Sequence, residues 1–123
     1  MKESIILMLL EYQTQIKFLH WNTFGYSTHK SLGDLYDNLS SHIDTFTETM
    51  MGKYGRPQFP ETFSLEFQKP ESIEPLKYMN QISEYLISLN DILNPMADSD
   101  LLNMRDEMLA DVNQTKYLLT LNK

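Results

Sequence analysis

Residues 28–53 read THKSLGDLYDNLSSHIDTFTETMMGK, and large apolar or aromatic side chains recur in this stretch every three or four positions. This spacing places them on one face of an α-helix and leaves the charged residues on the others. The repeat is heptad-like, and a helix of this length exceeds about 25 Å, which suits a helix bundle. The predicted seam consists of His29, Leu32, Tyr36, Leu39, Ile43, Phe46 and Met50.

A second helix precedes this one and pairs with it. The same apolar period runs from Ser4 to about Asn22, and only the short break 23–27, which contains Gly25, separates the two helices. Such a short connection favours a helical hairpin, and we expect a Ser or Thr of the break to cap the following helix. Trp21 and Phe24 are then expected to form a hydrophobic plug at the end of the hairpin.

Two further helices follow a long connection. Residues 55–70 contain three prolines, so they are predicted to be an irregular crossover that packs on the bundle. A connection of this length allows helices two and three to be parallel neighbours or diagonal. The predicted apolar anchors of the crossover are Phe59, Phe63, Leu65 and Phe67.

The third and fourth helices have recognisable ends. The third is predicted to begin near Ser72 with Pro75 in its first turn and to stop at Asn94-Pro95. Asp98 or Ser99 is then expected to cap the fourth. The sequence therefore predicts an all-α protein, an antiparallel four-helix bundle with a long crossover between helices 2 and 3, in which residues 1–123 form a single domain.

The composition excludes several classes of function. The chain has no cysteine, which removes disulfides, thiolate metal sites and cysteine nucleophiles. Its net charge of -7, with 10 basic against 17 acidic residues, argues against nucleic-acid binding. No run of apolar residues is long enough for a membrane span, and the N-terminus does not look like a signal peptide, so we expect a cytoplasmic protein.

Two histidines offer metal-binding chemistry. His20 ends the first helix and His29 opens the second, so a hairpin brings them close together. Paired imidazoles are natural ligands for a first-row metal, with carboxylates completing the site if the metal is iron. The alternative is that each histidine is a cap, a core residue or a solvated side chain. His42 falls away from the seam and is predicted to lie on the surface.

Carboxylates for such a site lie on the second helix. Asp37, Asp44 and Glu48 fall along one flank of its apolar seam, where they could equally be a solvated acidic strip. Asp44 is fifteen residues beyond His29, or about 22 Å along the helix, so one chain cannot bring both to the same metal ion. A two-fold pairing of second helices would instead form two sites, each with histidines from one chain and carboxylates from the other.

These residues also carry a resemblance. The stretch His20-Trp21-Asn22-Thr23-Phe24-Gly25, followed by His29 and later by Asp44 and Glu48, resembles the ferroxidase signature of the Dps family, the ferritin-like miniferritins. The second His, the Asp and the Glu keep the family's mutual spacing, whereas the hairpin between the two His is three residues shorter. The stretch is also similar to short ferritin-like proteins encoded by phages, which would place the chain in a host cytoplasm.

The resemblance implies an iron site between subunits. His20 and His29 would bind iron from one subunit, Asp44 and Glu48 from a two-fold neighbour, and Trp21 would lie beside the centre. The implied activity is oxidation of Fe(II), often by hydrogen peroxide, with iron storage in a homo-oligomer that ranges from a dimer to the family's dodecamer. A further family ligand, an Asp, falls on Gly33 here, so Asp34 and Asp37 are weaker candidates for that role.

Two other functions compete with iron oxidation. The chain could be a non-catalytic ferritin-like helical protein, a viral structural or regulatory module, that has lost the metal. Gly33 and the short hairpin favour this alternative. A helix-groove peptide binder is the third, and it depends on methionines that at helical spacing are usually core residues. These methionines are Met8, Met50, Met51, Met104 and Met108.

Overall fold

The computed structural model describes residues 2–121, and these residues form helices joined by loops, with no β-strand among them. Two short 3₁₀ helices, Pro70–Ser72 and Leu89–Asp91, flank the third α-helix. The prediction of an all-helical chain with four long helices is confirmed. The α-helices are α1 (Lys2–Asn22), α2 (Tyr26–Tyr54), α3 (Pro75–Ser88) and α4 (Ser99–Leu119).

The ends of α2 are set by two glycines. Gly25 is the N-cap residue in an extended conformation, and no side chain caps the helix there. The predicted Ser or Thr cap is therefore wrong, and the helix begins two residues earlier than expected. At the other end Gly55 has φ 85°, a left-handed conformation that favours glycine, and its N–H donates to the Met51 carbonyl at 2.7 Å.

Acidic residues precede both C-terminal helices but act differently. Glu74 caps α3 because its carboxylate accepts the N–H groups of Leu76 and Lys77, both at 3.1 Å. Asp98 occupies the N-cap position of α4, yet its side chain caps nothing in that helix. Its buried carboxylate instead accepts the Asn94 N–H at 2.9 Å and the Tyr54 hydroxyl.

The core lies between the four helices. The extensive helix contacts join α1 to α2, α2 to α4 and α3 to α4. Tyr12 of α1 also packs its ring against Tyr78 and Tyr85 of α3, with centroids 5.8 and 5.6 Å apart. The largest fully buried apolar side chains, each worth about 1.5 to 3 kcal/mol of transfer free energy, are Phe46, Ile5, Ile16, Leu32, Leu35, Met79, Ile82, Leu86, Leu89, Leu101 and Met108.

One arginine is part of this interior. Arg105 of α4 is 7% exposed and donates to the Leu86 carbonyl and to Asn90 Oδ1, both at 2.8 Å. It therefore adds a side-chain donor to the Leu86 carbonyl, which also accepts the Leu89 N–H at the end of α3.

The crossover runs beside α1 and is held by polar contacts. Three of its backbone N–H groups donate to α1 side chains: Gln58 to Glu3 at 3.2 Å, Glu66 to Glu11 at 3.0 Å and Gln68 to Gln15 at 2.7 Å.

The predicted apolar anchoring of this segment is largely wrong. Phe59, Phe63 and Phe67 are 38%, 53% and 42% exposed. Phe59 and Phe63 stack on each other, and only Phe67 contacts a helix aromatic, Phe18. The crossover is therefore held mainly by hydrogen bonds to side chains of α1, whereas apolar packing was expected to hold it.

Among residues 2–121, no helix is both long enough and apolar enough to cross a bilayer.

Candidate functional site

His20 and His29 are in direct contact at the α1–α2 connection. Only residues 23–25 separate the two helices, so the last turn of α1 lies beside the first turn of α2. The two imidazole rings stack with centroids 3.8 Å apart and an angle of 19° between their planes. The sequence prediction that these two histidines meet is confirmed.

The hydrogen bonds of the pair are reciprocal. His20 Nδ1 lies 2.6 Å from the His29 carbonyl oxygen, and His29 Nδ1 lies 2.9 Å from the His20 carbonyl oxygen. A carbonyl can only accept, so both Nδ1 atoms carry a proton and donate it. In the neutral form of each ring the lone pair is then on Nε2. A backbone carbonyl on Nδ1–H is the usual partner that orients a histidine for metal binding through Nε2.

Gly33 packs against the ring of His20. It lies one turn after His29 on α2, and a Cβ built on it would be 2.7 Å from His20 Cε1 and 3.0 Å from His20 Nδ1. Any larger residue at this position must displace the imidazole or shift the helix. The His20 ring therefore occupies the space where a side chain of residue 33 would begin.

A shallow pocket of about 270 Å³ opens beside the two rings. Its lining is mixed, with cationic, aromatic and acidic side chains around the imidazoles. Asp34 and Asp37, the weaker sequence candidates, both line it. The other lining residues are Lys17, His20, Tyr26, His29, Lys30 and Gly33.

The two weaker candidates differ in their surroundings. Asp34 is exposed and forms an i, i+4 ion pair with Lys30 at 3.2 Å. Asp37 is also exposed, but no ion pair or hydrogen bond engages its carboxylate within residues 2–121, and it lines a second, neighbouring groove as well. Of the two, Asp37 is the carboxylate available for binding.

Asp44 lies in that second groove, away from the histidine pocket. The groove is open, about 720 Å³, and runs between α1 and α2 over an apolar floor of Ile6, Leu10 and Ile43. Thr47 also lines it, and its Oγ1 hydroxyl is buried without a hydrogen-bond partner in the described chain. Buried hydroxyls are normally satisfied, so this wall of the groove has an unmet polar group.

Glu48 is exposed one turn beyond Asp44 and lines neither the histidine pocket nor the groove. One chain therefore gathers His20, His29, Asp34 and Asp37 around one pocket and leaves Asp44 and Glu48 elsewhere on α2. Within residues 2–121, no group of three or more histidine and acidic side chains is arranged to hold a metal ion.

His42, which was predicted to lie on the surface, is partly covered by α4. Its side chain is 26% exposed and lies between two carboxylates of α4, with Nε2 3.0 Å from Asp111 and Nδ1 3.5 Å from Glu107. These two contacts could not be predicted from the sequence, because the helical period of α2 alone does not indicate which face α4 covers.

The hairpin aromatics do not form the predicted plug. Trp21 is 64% exposed and Phe24 is fully exposed. Trp21 packs edge-on against Phe18, and the Lys17 ammonium lies between the Trp21 and Tyr36 rings, 5.7 and 4.6 Å from their centroids. Sequence reasoning missed Lys17, although its position one turn before His20 could have indicated a charge near the pair.

The protein is thus an all-α protein of four helices with a stacked pair of histidines at the end where α1 meets α2. More particularly, the chain belongs to a family of unknown function, DUF5856, whose model matches residues 20–119. That range includes His20, His29 and Gly33, and it also includes the acidic residues along one flank of α2. Comparisons with curated proteins and with solved structures gave no significant match.

Proposed function

We propose that this protein is a Dps-like, ferritin-like iron-binding protein that oxidises Fe(II) at a site shared by two subunits. The supporting observation is the His20–His29 pair, whose Nδ1–H groups are both engaged by backbone carbonyls. This arrangement holds the rings in the tautomer that leaves Nε2 for a metal ion.

The order of helix neighbours supports a ferritin-like, antiparallel bundle. Bundles with short loops throughout place α2 beside α3, whereas here α2 packs on α4, and α3 packs on α4 and on Tyr12 of α1. Contacts between helix ends favour antiparallel neighbours. The end of α1 meets the start of α2 at His20 and His29. The end of α2 meets the start of α4, where Lys53 lies 3.2 Å from Asp100. A single long crossover between diagonal helices is the feature shared with ferritin-like folds.

The proposed site takes its remaining ligands from a second copy. Asp44 and Glu48 are exposed, and neither forms an ion pair within residues 2–121, so both carboxylates can bind an ion brought by another chain. The apolar floor of the groove and the unpartnered Thr47 hydroxyl support a covered α1–α2 face. A two-fold axis across this face would give two equal sites in a homo-oligomer.

Iron is the substrate of this reaction. Two Fe(II) ions lose one electron each, and hydrogen peroxide takes up both electrons with two protons and is reduced to two water molecules. The chain's own residues bind and orient the ions: the imidazoles through Nε2, the carboxylates through oxygen, ligand types that suit iron. Nothing in this scheme needs nucleic acid or a membrane, and a cytoplasmic location fits it.

Anaerobic Fe(II) titration by calorimetry, followed by peroxide addition with absorbance monitored in the near ultraviolet, tests the proposal. We expect stoichiometric binding and fast oxidation, both lost in His29→Ala. His42→Gln is the matched control, since it also removes a histidine but one that faces α4. Binding by His29→Ala equal to that of the unaltered chain would remove this residue from the site.

A mixing experiment tests the shared site separately. His29→Ala and Asp44→Asn are each expected to be inactive, but a mixed dimer contains one site with both residues intact. Mixing the two variants should therefore restore part of the oxidation. A protein that light scattering shows to be monomeric at high concentration, or a mixture without activity, would contradict a site between subunits.

The second candidate is a non-catalytic helical module, viral structural or regulatory, that has kept the bundle. The observation that favours it is the close packing of Gly33 on the His20 ring, which leaves no room for a carboxylate at that position. Fe(II) binding no stronger than a buffer blank, with the fold intact by circular dichroism, would favour this candidate.

A further inference from the structure

A second pocket lies at the opposite end of the bundle from the histidines. It has a volume of about 290 Å³ and sits between the first turn of α1, the last turn of α2 and the start of the crossover. Eighteen residues of α1 separate Lys2 from His20, or about 27 Å along the helix, so this pocket is independent of the candidate iron site. Its apolar walls are Ile6, Met50, Met51 and Pro57.

The polar rim of this pocket is positively charged in a protein of net charge -7. Lys2, Glu3 and Arg56 line it. A hydrogen bond from its own backbone N–H and a second from the Gln58 N–H, at 3.2 Å, lower the pKa of the Glu3 carboxylate. Glu3 therefore stays ionised and is engaged by the crossover.

Within residues 2–121, neither cation forms an ion pair within 4 Å of an acid, although the charge of Lys2 contributes to the lowered pKa of Glu3 and Asp98. The Lys2 ammonium lies 4.3 Å from the centroid of the Tyr54 ring. Arg56 is exposed, and its guanidinium forms no ion pair or hydrogen bond within residues 2–121. The planar guanidinium of Arg56 can donate two parallel hydrogen bonds, and it lies beside methionine side chains that can adapt to an apolar ligand.

We propose that this pocket binds a small amphiphilic carboxylate, with the carboxylate on Arg56 and Lys2 and the hydrocarbon part against Met50 and Met51. The guanidinium fork matches the two oxygens of a carboxylate, and an ammonium adds a second charge-assisted donor. The volume is at the lower limit of small-molecule pockets, so the ligand is a short chain such as octanoate.

Titration of the full chain with octanoate, followed by amide NMR, tests this site. The Gly55 N–H lies in the pocket lining, whereas Gly25 and Gly33 lie at the other end of the bundle, so glycine signals separate local binding from general effects. We expect a saturable shift of Gly55, with Gly25 and Gly33 unshifted. Arg56→Gln should bind octanoate about tenfold more weakly than the unaltered chain, and the affinity of Arg56→Lys should lie between these two values.

Lys69→Gln is the matched control, because it removes an exposed positive charge at the far end of the crossover and should leave binding unchanged. Octanol and octylamine provide controls of equal chain length. Equal binding of octanol would reduce the site to an apolar cleft and overturn the carboxylate assignment. A shift of all glycines, no saturation, or equal affinity of Arg56→Gln would overturn the site.

Discussion

Replacement of Gly33 by alanine isolates the contact on which the histidine pair depends. The added Cβ would lie 2.7 Å from His20 Cε1, well inside van der Waals contact. Because the ring is the end of a side chain, it can rotate away, but it then loses its bond to the His29 carbonyl and its stack on His29. Gly33→Ala should therefore separate the two rings.

The free-energy change follows from three contributions. Loss of the hydrogen bond costs about 0.5 to 1.5 kcal/mol, and loss of the ring stack costs about 0.5 to 1.5 kcal/mol. Alanine gains about 1 kcal/mol over glycine inside a helix. We expect a net destabilisation of about 0 to 2 kcal/mol, or about 3 to 5 °C in Tm for each kcal/mol in a chain of this size.

Gly52→Ala is the matched control in the same helix. No atom lies within 4 Å of a Cβ built on Gly52, so only the helical preference acts, and this variant should be more stable by up to about 1 kcal/mol. Urea unfolding of both variants, followed by circular dichroism, measures the difference. Gly33→Ala is expected to be about 1 to 3 kcal/mol less stable than Gly52→Ala.

A double variant completes the test. In a His20→Ala background the ring is gone, so Gly33→Ala should become stabilising, as Gly52→Ala is. If Gly33→Ala already stabilises the unaltered chain as much as Gly52→Ala does, the ring does not occupy this space and the reasoning fails.

Three further predictions concern the rest of the bundle. Burial alone would raise the pKa of Asp98, but hydrogen bonds from Tyr54 and Asn94 lower it overall. The stabilisation that the ionised Asp98 contributes to folding is thus present above about pH 4 and is lost as the pH falls below that value. In acid urea titrations, the unfolding free energy of Asp98→Asn should therefore depend less on pH than that of the unaltered chain. Arg105→Met removes the charge-assisted hydrogen bonds to the Leu86 carbonyl and to Asn90 Oδ1 and should cost about 1 to 3 kcal/mol in urea unfolding; unchanged stability would show that these bonds contribute nothing net. Burial raises the pKa of Tyr85 to about 12 and raises that of Tyr78 further, so Tyr85 belongs to the tyrosines that ionise late. Ultraviolet titration of Tyr85→Phe should therefore lack one late phenolate, and loss of a phenolate that forms near the ordinary tyrosine pKa would contradict this.

Much of the local structure could be predicted from the sequence. Helical period, prolines and glycines are local signals, so they predicted the four helices, the short α1–α2 connection and the long crossover. The contact between His20 and His29 followed from the same signals, because a connection as short as the predicted break 23–27 keeps the ends of the two helices side by side.

Contacts between distant elements could not be predicted in this way. Asp98 looked like a helix cap, but its carboxylate accepts the Tyr54 hydroxyl. His42 was predicted to lie on the surface, and the sequence did not reveal its contact with Asp111 of α4. The pairing of Gly33 with the His20 ring likewise depends on the rotation of α1 against α2. Local signals were enough to predict which segments are helical and which faces are apolar, since both depend on residues three or four apart. Which polar groups meet follows from the folded chain, because it depends on how whole helices are rotated and ordered when their apolar faces pack together.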